Sequence, residues 1–226
     1  MSWADLHNII KNWSDLNVER PFIKQQAPFL IDSVEEGLFR QHPDLELATL
    51  AILELEQRGS SKAITSASKI RAMLREKEHQ PIPWLMKARR NLKLLKFEDK
   101  PSSNYKNSLY VILRDSPTEG DRRYRVYVGE TTKTVEERFE QHISGIKAGR
   151  GLPKYGIQLM QSLMWPWQKV PGKKKLFYES ALHVALGIDN GSGPEVGGNT
   201  QEIEKWPGGF QKELLAEIKN GAVPDN

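Results

Sequence analysis

Five side chains between residues 110 and 179 are of types that could act on a phosphate ester. Tyr110 and Tyr127 lie in two short β-branched and aromatic runs, Arg138 and His142 are four residues apart, and Glu179 interrupts an apolar segment. Hydrolysis of a phosphodiester needs an attacking water, a group that takes its proton, and cations that offset the extra negative charge. By themselves, strand tyrosines and a helical Arg/His pair are more often ordinary core and surface residues.

Spacing and surroundings give three of these residues a plausible chemistry. Residues four apart share one face of a helix, so Arg138 and His142 project together. Arginine presents a permanently charged planar fork that fits phosphate oxygens. Glu179 lies between apolar neighbours, where a carboxylate either pairs with a cation or binds a metal ion. One carboxylate with water ligands suits Mg²⁺, and His183, one turn later, leaves a transition-metal pair conceivable.

In this order, the motifs of segment 108–199 resemble the GIY-YIG nuclease superfamily. The resemblance covers fewer than half of the 226 residues, and the motifs read Ser-Leu-Tyr and Tyr-Val-Gly where the family has Gly-Ile-Tyr and Tyr-Ile-Gly. The matching pieces are Leu109-Tyr110-Val111, Val126-Tyr127-Val128-Gly129, Arg138-Phe-Glu-Gln-His142, Glu179 and Gly197-Gly198-Asn199.

The resemblance implies a role for each residue of the set. It implies that Tyr110 and Tyr127 point together into the site, and the second of them is often assigned in the family as the general base. Glu179 would hold a single Mg²⁺ or Mn²⁺ ion. Arg138 would neutralise the transition state, and His142 would orient the water, relay its proton or bind phosphate. Asn199 would help to hold the glutamate and phosphate region.

The net charge of +4 is distributed unevenly along the chain. Residues 1–59 carry a net charge of −5, residues 60–100 carry +7, and residues 101–226 carry +2. A basic block suits DNA binding because displaced counterions drive it, although a solvated basic helix face has the same composition. The candidate DNA contacts are Lys69, Arg71, Arg75, Lys87, Arg89, Arg90, Lys93 and Lys96, with Lys173 and Lys174 near Glu179.

The first hundred residues predict an all-helical domain. Apolar spacing predicts four helices. The first begins at Trp3, the second follows Pro43-Asp44 and stops at Gly59, the third begins near Thr65-Ser66, and the fourth follows Pro83. Pro21 and Pro28 interrupt the pattern between the first helix and the second. A basic pair of helices would suit a helix-turn-helix arrangement that reads DNA. A helical cap or a dimerisation domain is the alternative.

A second domain is predicted over residues 105–226, after a linker at 98–107. Residues 108–113 and 124–128 predict a hairpin, and Thr134 with Glu137 forms a capping box that begins a helix. A short helix over 155–160, a third strand between 161 and 170 and a helix over 175–186 complete the pattern. We therefore predict an α+β fold, with a small antiparallel three-stranded sheet flanked by helices.

The composition excludes several function classes. With no cysteine, the chain has no disulfide, thiol catalysis or cysteine-based zinc site. It has no apolar run that could cross a membrane and no signal peptide, so we expect a cytoplasmic protein. The glycine motifs that bind nucleotide phosphates are missing, so we expect no nucleotide cofactor.

The sequence favours a metal-dependent endonuclease of double-stranded DNA, most simply a site-specific type II restriction enzyme that defends against phage. Such enzymes often act as homodimers because two strands need two active sites. A repair, homing or mobile-element nuclease and a non-catalytic DNA-binding module remain open. A loose PD…(D/E)xK pattern, with Pro43-Asp44 and Glu98-Asp99-Lys100, is a weaker alternative, since Asp44 looks like a helix start.

Overall fold

The computed structural model divides the chain into two compact units, Met1–Leu85 and Met86–Asn226. The described elements are helices and a small sheet with three antiparallel strands, so the α+β prediction is confirmed. None of the helices in the described ranges is both long and apolar enough to span a lipid bilayer. The structure describes residues 2–13, 19–94, 102, 104–116, 123–164, 168–187 and 196–197.

The described residues of the first unit form four helices, and two of them have clear capping signals. Asp44 begins the third helix by accepting a hydrogen bond from the Leu47 N–H, and Gly59 ends it with a φ of 67°. Ser60 caps the fourth helix, which therefore begins earlier than the predicted start near Thr65. The helices are α1 (Trp3–Lys11), α2 (Ala27–Leu38), α3 (Leu45–Arg58) and α4 (Ser61–Glu76).

The prediction that prolines interrupt the chain before α3 was wrong for α2. Pro28 lies in the first turn of this helix, where its missing N–H and fixed φ are compatible with helical structure. Leu30, Val34 and Leu38 recur every four residues and are buried. A proline in the first turn therefore does not interrupt a helix, and the apolar spacing after Pro28 correctly indicates one.

The second unit contains a helix that the sequence analysis assigned to the first domain. In α5, the Arg89 guanidinium donates to the Ser162 carbonyl at 2.6 Å, and the Asn91 amide donates to the Ala185 carbonyl at 3.0 Å. The elements are α5 (Leu85–Leu94), β1 (Ser108–Asp115), β2 (Tyr124–Thr131), α6 (Val135–Ile143), α7 (Leu152–Tyr155), β3 (Gly156–Leu159), α8 (Gln161–Met164), a 3₁₀ turn (Gly172–Lys174), α9 (Lys175–Gly187) and β4 (Val196–Gly197).

The sheet has the strand order β3-β1-β2-β4. Strand β1 is antiparallel to β2 and β3, and the two-residue β4 is parallel to β2. The predicted hairpin and the predicted helix over 175–186 are confirmed.

The predicted position of the third strand was wrong. The strand occupies Gly156–Leu159, where a helix was expected, and Gln161–Met164 is helical, where the strand was expected. Gly151, with a φ of 78°, begins α7 earlier, with a proline in its first turn. Four residues are too few for a periodic pattern to separate strand from helix.

Candidate active site

The two predicted tyrosines lie on the same face of the β1–β2 hairpin. Tyr110 is opposite Gly129, and Tyr127 is opposite Ile112. Opposite residues share a face and side chains alternate along a strand, so Tyr110 and Ile112 project on the same side as Tyr127. The ring centroids of the two tyrosines are 6.3 Å apart.

Each tyrosine ring lies against a glycine. A Cβ atom on Gly129 would lie 2.5 Å from Cζ of Tyr110, and one on Gly149 would lie 2.7 Å from Cζ of Tyr127. Any side chain at either position would displace the ring. Gly149 belongs to the loop that follows α6, to which the sequence assigned no role, so it is a member of the site that the sequence reasoning missed.

His142 is fully buried in the last turn of α6 and touches both tyrosines. Its Nδ1 accepts a hydrogen bond from the Gly149 N–H at 2.9 Å, and its Nε2 lies 2.7 Å from the Tyr110 hydroxyl oxygen. A neutral imidazole has one donor and one acceptor nitrogen. Because Nδ1 accepts, Nε2 carries the proton and donates it to Tyr110.

Arg138 lies one turn before His142, on the helix that the capping box of Thr134 and Glu137 begins. Its half-buried guanidinium donates to the Lys147 carbonyl at 3.0 Å and to Oε1 of Gln141 at 3.3 Å. The capping box fixes where α6 begins, and so determines which face carries the arginine and the histidine.

Glu179 lies in α9 and is 1% exposed. Its negative charge raises the pKa of both Tyr110 and Tyr127, so the carboxylate is close to the tyrosine pair. Arg138, His142, Glu179 and the two tyrosines therefore form one group, which we call the tyrosine cluster.

Burial dominates the electrostatics of the tyrosine cluster. It raises the pKa of Tyr110, and the charge of Tyr127 adds to this, whereas a hydrogen bond from Arg138 opposes it. Burial also raises the pKa of the half-buried Tyr127, while Arg138, a hydrogen bond from Tyr110 and Arg114 lower it. Both phenols are therefore protonated at rest, and cations and a hydrogen bond favour the phenolate of Tyr127.

The two histidines of this unit are neutral. Burial and the charge of Arg138 lower the pKa of His142 to about 4. Burial lowers the pKa of His183, in α9, to about 4 as well. Neither imidazole adds positive charge near neutral pH, so the positive charge of the tyrosine cluster is that of Arg138.

The donor set fits a single hard metal ion. Within the described ranges, no three His, Asp or Glu side chains are grouped closely enough to hold a metal ion among themselves. Glu179 and the phenolic oxygens are hard oxygen donors, and Mg²⁺ commonly keeps several water ligands beside one or two carboxylates. Glu179 would hold the ion directly.

The predicted DNA contacts fall into different environments. Lys69, Arg75 and Lys173 are exposed, Lys87, Arg90 and Lys174 are half-buried, and Arg71 pairs with Glu56 at 2.8 Å. Arg89 is 2% exposed and bonds a backbone carbonyl, so it packs inside the second unit rather than facing DNA. The side chain of Lys93 and residues Lys96 and Asn199 lie outside the described residues.

The hairpin and the tyrosine cluster define an α+β protein with polar groups gathered on one sheet face. No protein family, curated protein or solved structure matches this chain.

Proposed function

We propose that this protein is a metal-dependent endonuclease that hydrolyses phosphodiester bonds of double-stranded DNA. The observation that carries the proposal is the tyrosine cluster, which combines two phenols, a neutral histidine, an arginine and one buried carboxylate on a single sheet face. Strongly perturbed pKa values that converge at one place are typical of catalytic sites.

Tyr127 takes the proton of the attacking water. It stands at the end of a hydrogen-bond chain in which His142 donates to Tyr110 and Tyr110 donates to Tyr127. Each donated bond favours negative charge on the next oxygen, so the chain stabilises a phenolate at Tyr127. His142 cannot accept the Tyr110 proton, because its acceptor nitrogen is bound to Gly149.

Arg138 and Glu179 act on the phosphate. The guanidinium neutralises the charge that develops on the non-bridging oxygens. A Mg²⁺ or Mn²⁺ ion held by Glu179 would supply Lewis-acid stabilisation of the phosphate and of the departing oxygen. In the absence of a metal, the buried carboxylate opposes a phenolate, which explains why Glu179 raises the pKa of both tyrosines.

The resemblance to GIY-YIG nucleases supports the same chemistry, and it extends the proposal to a restriction enzyme. We propose a cytoplasmic, site-specific type II enzyme that protects against phage and cuts both strands as a homodimer. Asn199 keeps its proposed role of holding the glutamate and phosphate region, and the exposed Lys69, Arg75 and Lys173 are the proposed contacts to the phosphate backbone.

The test is incubation of the purified protein with several plasmid and phage DNAs and Mg²⁺. Glu179→Gln removes the charge and keeps the shape, whereas Glu140→Gln makes the same change at an exposed position of α6. We expect discrete fragments from the wild type and from Glu140→Gln, and none from Glu179→Gln or in EDTA.

Other outcomes separate the alternatives. A smear of products would indicate a structure-selective or nonspecific nuclease of the repair or mobile-element kind. Binding of duplex without cleavage of duplex, branched or single-stranded DNA would overturn the catalytic proposal and favour a DNA-binding module.

A further inference from the structure

Two arginines lie on the same face of the hairpin as the tyrosines. Arg114 lies two positions after Ile112 on β1, and Arg125 lies two positions before Tyr127 on β2. The two arginines are directly opposite each other. Because side chains alternate, both project from the face that carries the tyrosine cluster.

The backbone around Arg114 leaves room for its guanidinium. A Cβ atom on Gly151 would lie 2.8 Å from Nη2 of Arg114, so the side chain extends across this glycine. On the other edge of β1 the register with β3 shifts between Leu113 and Arg114, and the partner of Arg114 is Gly156. Such bulges often aim a side chain beside an active site.

This pairing places two positive charges side by side on one face of the sheet. Like charges directly opposite each other in a sheet repel. The nearby Asp115 carboxylate forms a bidentate pair with Arg123, with both distances 2.7 Å. The charge of Arg114 also reaches the phenol of Tyr127, whose pKa it lowers. Positive charge placed beside a site in this way suits an anionic substrate.

We propose that Arg114 binds a backbone phosphate of DNA about two nucleotides from the scissile one, and that Arg125, directly opposite it, shares this contact. The inference rests on the proposed endonuclease function. Two strand positions advance about 7 Å, roughly two nucleotide rises along a DNA strand. Arg114 and Arg125 are therefore placed for the second phosphate along the strand from the one that would lie at the tyrosine pair.

The experiment measures DNA binding apart from cleavage. Arg114→Ala is combined with Glu179→Gln, so that the DNA stays intact, and Lys106→Ala in the same background is the control, because Lys106 is exposed outside the strands. Anisotropy of a fluorescein-labelled plasmid-derived duplex is titrated at several salt concentrations. Far-ultraviolet circular dichroism checks the fold, and Arg114→Gln replaces the alanine variant if that variant unfolds.

We expect the slope of log affinity against log salt to fall in magnitude by about 0.9 in the Arg114 variant, as for one lost phosphate contact. The Lys106 control should keep the parent slope, and Arg114→Lys should keep it too while binding more weakly at every salt concentration. A folded Arg114 variant with the parent slope overturns the inference.

Cleavage by the wild type separates this inference from the proposed function. If the wild type cuts DNA and the salt-dependence slope of the Arg114 variant is unchanged, the proposed Arg114–phosphate contact is overturned and the proposed nuclease function is supported. If the wild type does not cut and the slope still falls, the nuclease is overturned and Arg114 remains a DNA contact.

Discussion

The helical unit and the sheet unit both bury charged side chains, but they neutralise them differently. In the helical unit, Glu54 is 3% exposed and receives hydrogen bonds from Arg20 at 2.7 and 2.9 Å and from Arg58 at 2.7 Å. Burial raises the pKa of Glu54, but the hydrogen bonds of the two arginines outweigh it, so the pKa is lowered. The carboxylate is satisfied as an ion.

Both carboxylate oxygens of the buried Asp44 also have hydrogen-bond partners. One of its oxygens caps α3 through the Leu47 N–H, and the other lies 3.0 Å from Nε1 of Trp3 and 2.9 Å from Nδ1 of His7. Every contact fixes the position of a helix. These interactions account for the burial of Asp44 by structure alone.

The tyrosine cluster has the opposite character. Burial prevails there, so the phenols are protonated and His142 is neutral beside the charged Arg138. The negative charge of Glu179 raises both tyrosine pKa values instead of being offset by them. Glu179 opposes a phenolate on either tyrosine, and a bound metal ion and phosphate would reverse this, as the proposed endonuclease function requires.

Paired substitutions of the two buried glutamates should separate these roles most clearly. We expect Glu179→Gln to reduce DNA cleavage by about 10³-fold, because it removes the proposed metal ligand, and to leave the free energy of unfolding unchanged. Glu54→Gln should keep the cleavage rate and lose about 3 kcal/mol of stability, because a buried ion pair is broken. Single-turnover cleavage and urea unfolding measure the two quantities. If Glu179→Gln and Glu54→Gln changed the cleavage rate equally and the free energy of unfolding equally, the two glutamates would not have different roles.

The two tyrosines should also differ from each other. Tyr127→Phe should slow cleavage by about 10²- to 10⁴-fold, as loss of a general base does, with little change in stability. Tyr110→Phe leaves the buried His142 N–H without its acceptor, which should cost about 1–3 kcal/mol. Single-turnover rates and urea midpoints measure both. A Tyr127→Phe enzyme of wild-type rate would exclude Tyr127 as the base.

Acid should destabilise the sheet unit through its neutral histidines. The pKa values of His142 and His183 fall from 6.5 unfolded to about 4 folded, so the unfolded chain binds more protons in this window and stability falls as the pH falls through it. At pH 4, each histidine accounts for a loss of stability on the order of 3 kcal/mol relative to neutral pH. Urea unfolding across this window measures the decline. His183→Gln should lose about half of it, and a variant with the wild-type decline would contradict the lowered pKa.

The smallest expected effect concerns glycine. Gly149→Ala would place a Cβ atom 2.7 Å from the Tyr127 ring, so we expect a loss of about 1–3 kcal/mol together with slower cleavage. The control, Gly59→Ala in the helical unit, has a φ of +67° and no atom within 4 Å. It should cost roughly 1 kcal/mol by backbone strain alone and keep the cleavage rate. Thermal unfolding and DNA cleavage of the two variants are compared directly. Equal cleavage rates of the two variants would show that Gly149 does not contribute to the site.

Local signals allowed much of the fold to be predicted. The hairpin, α3 with its stop at Gly59, the capping box of α6 and α9 follow from residues close together in sequence, and the structure confirms them. The errors at α2 and β3 arose where the signal was a proline of ambiguous position or a run of four residues. The placement of α5 in the second unit depends on nonlocal contacts, because Arg89 and Asn91 donate hydrogen bonds to carbonyls far along the chain.

The sequence alone determined the residue types of the candidate site and their order on strands and helices, since alternation and helical spacing are local properties of the backbone. Only the tertiary structure decided how those groups interact. The proton position on His142 depends on the Gly149 N–H, and Tyr127 has space for its ring because position 149 lacks a side chain. Strand register places Arg114 on the sheet face that carries the tyrosine cluster, and packing buries Arg89. Hydrogen bonding and burial act between residues distant in sequence, and no local pattern encodes them.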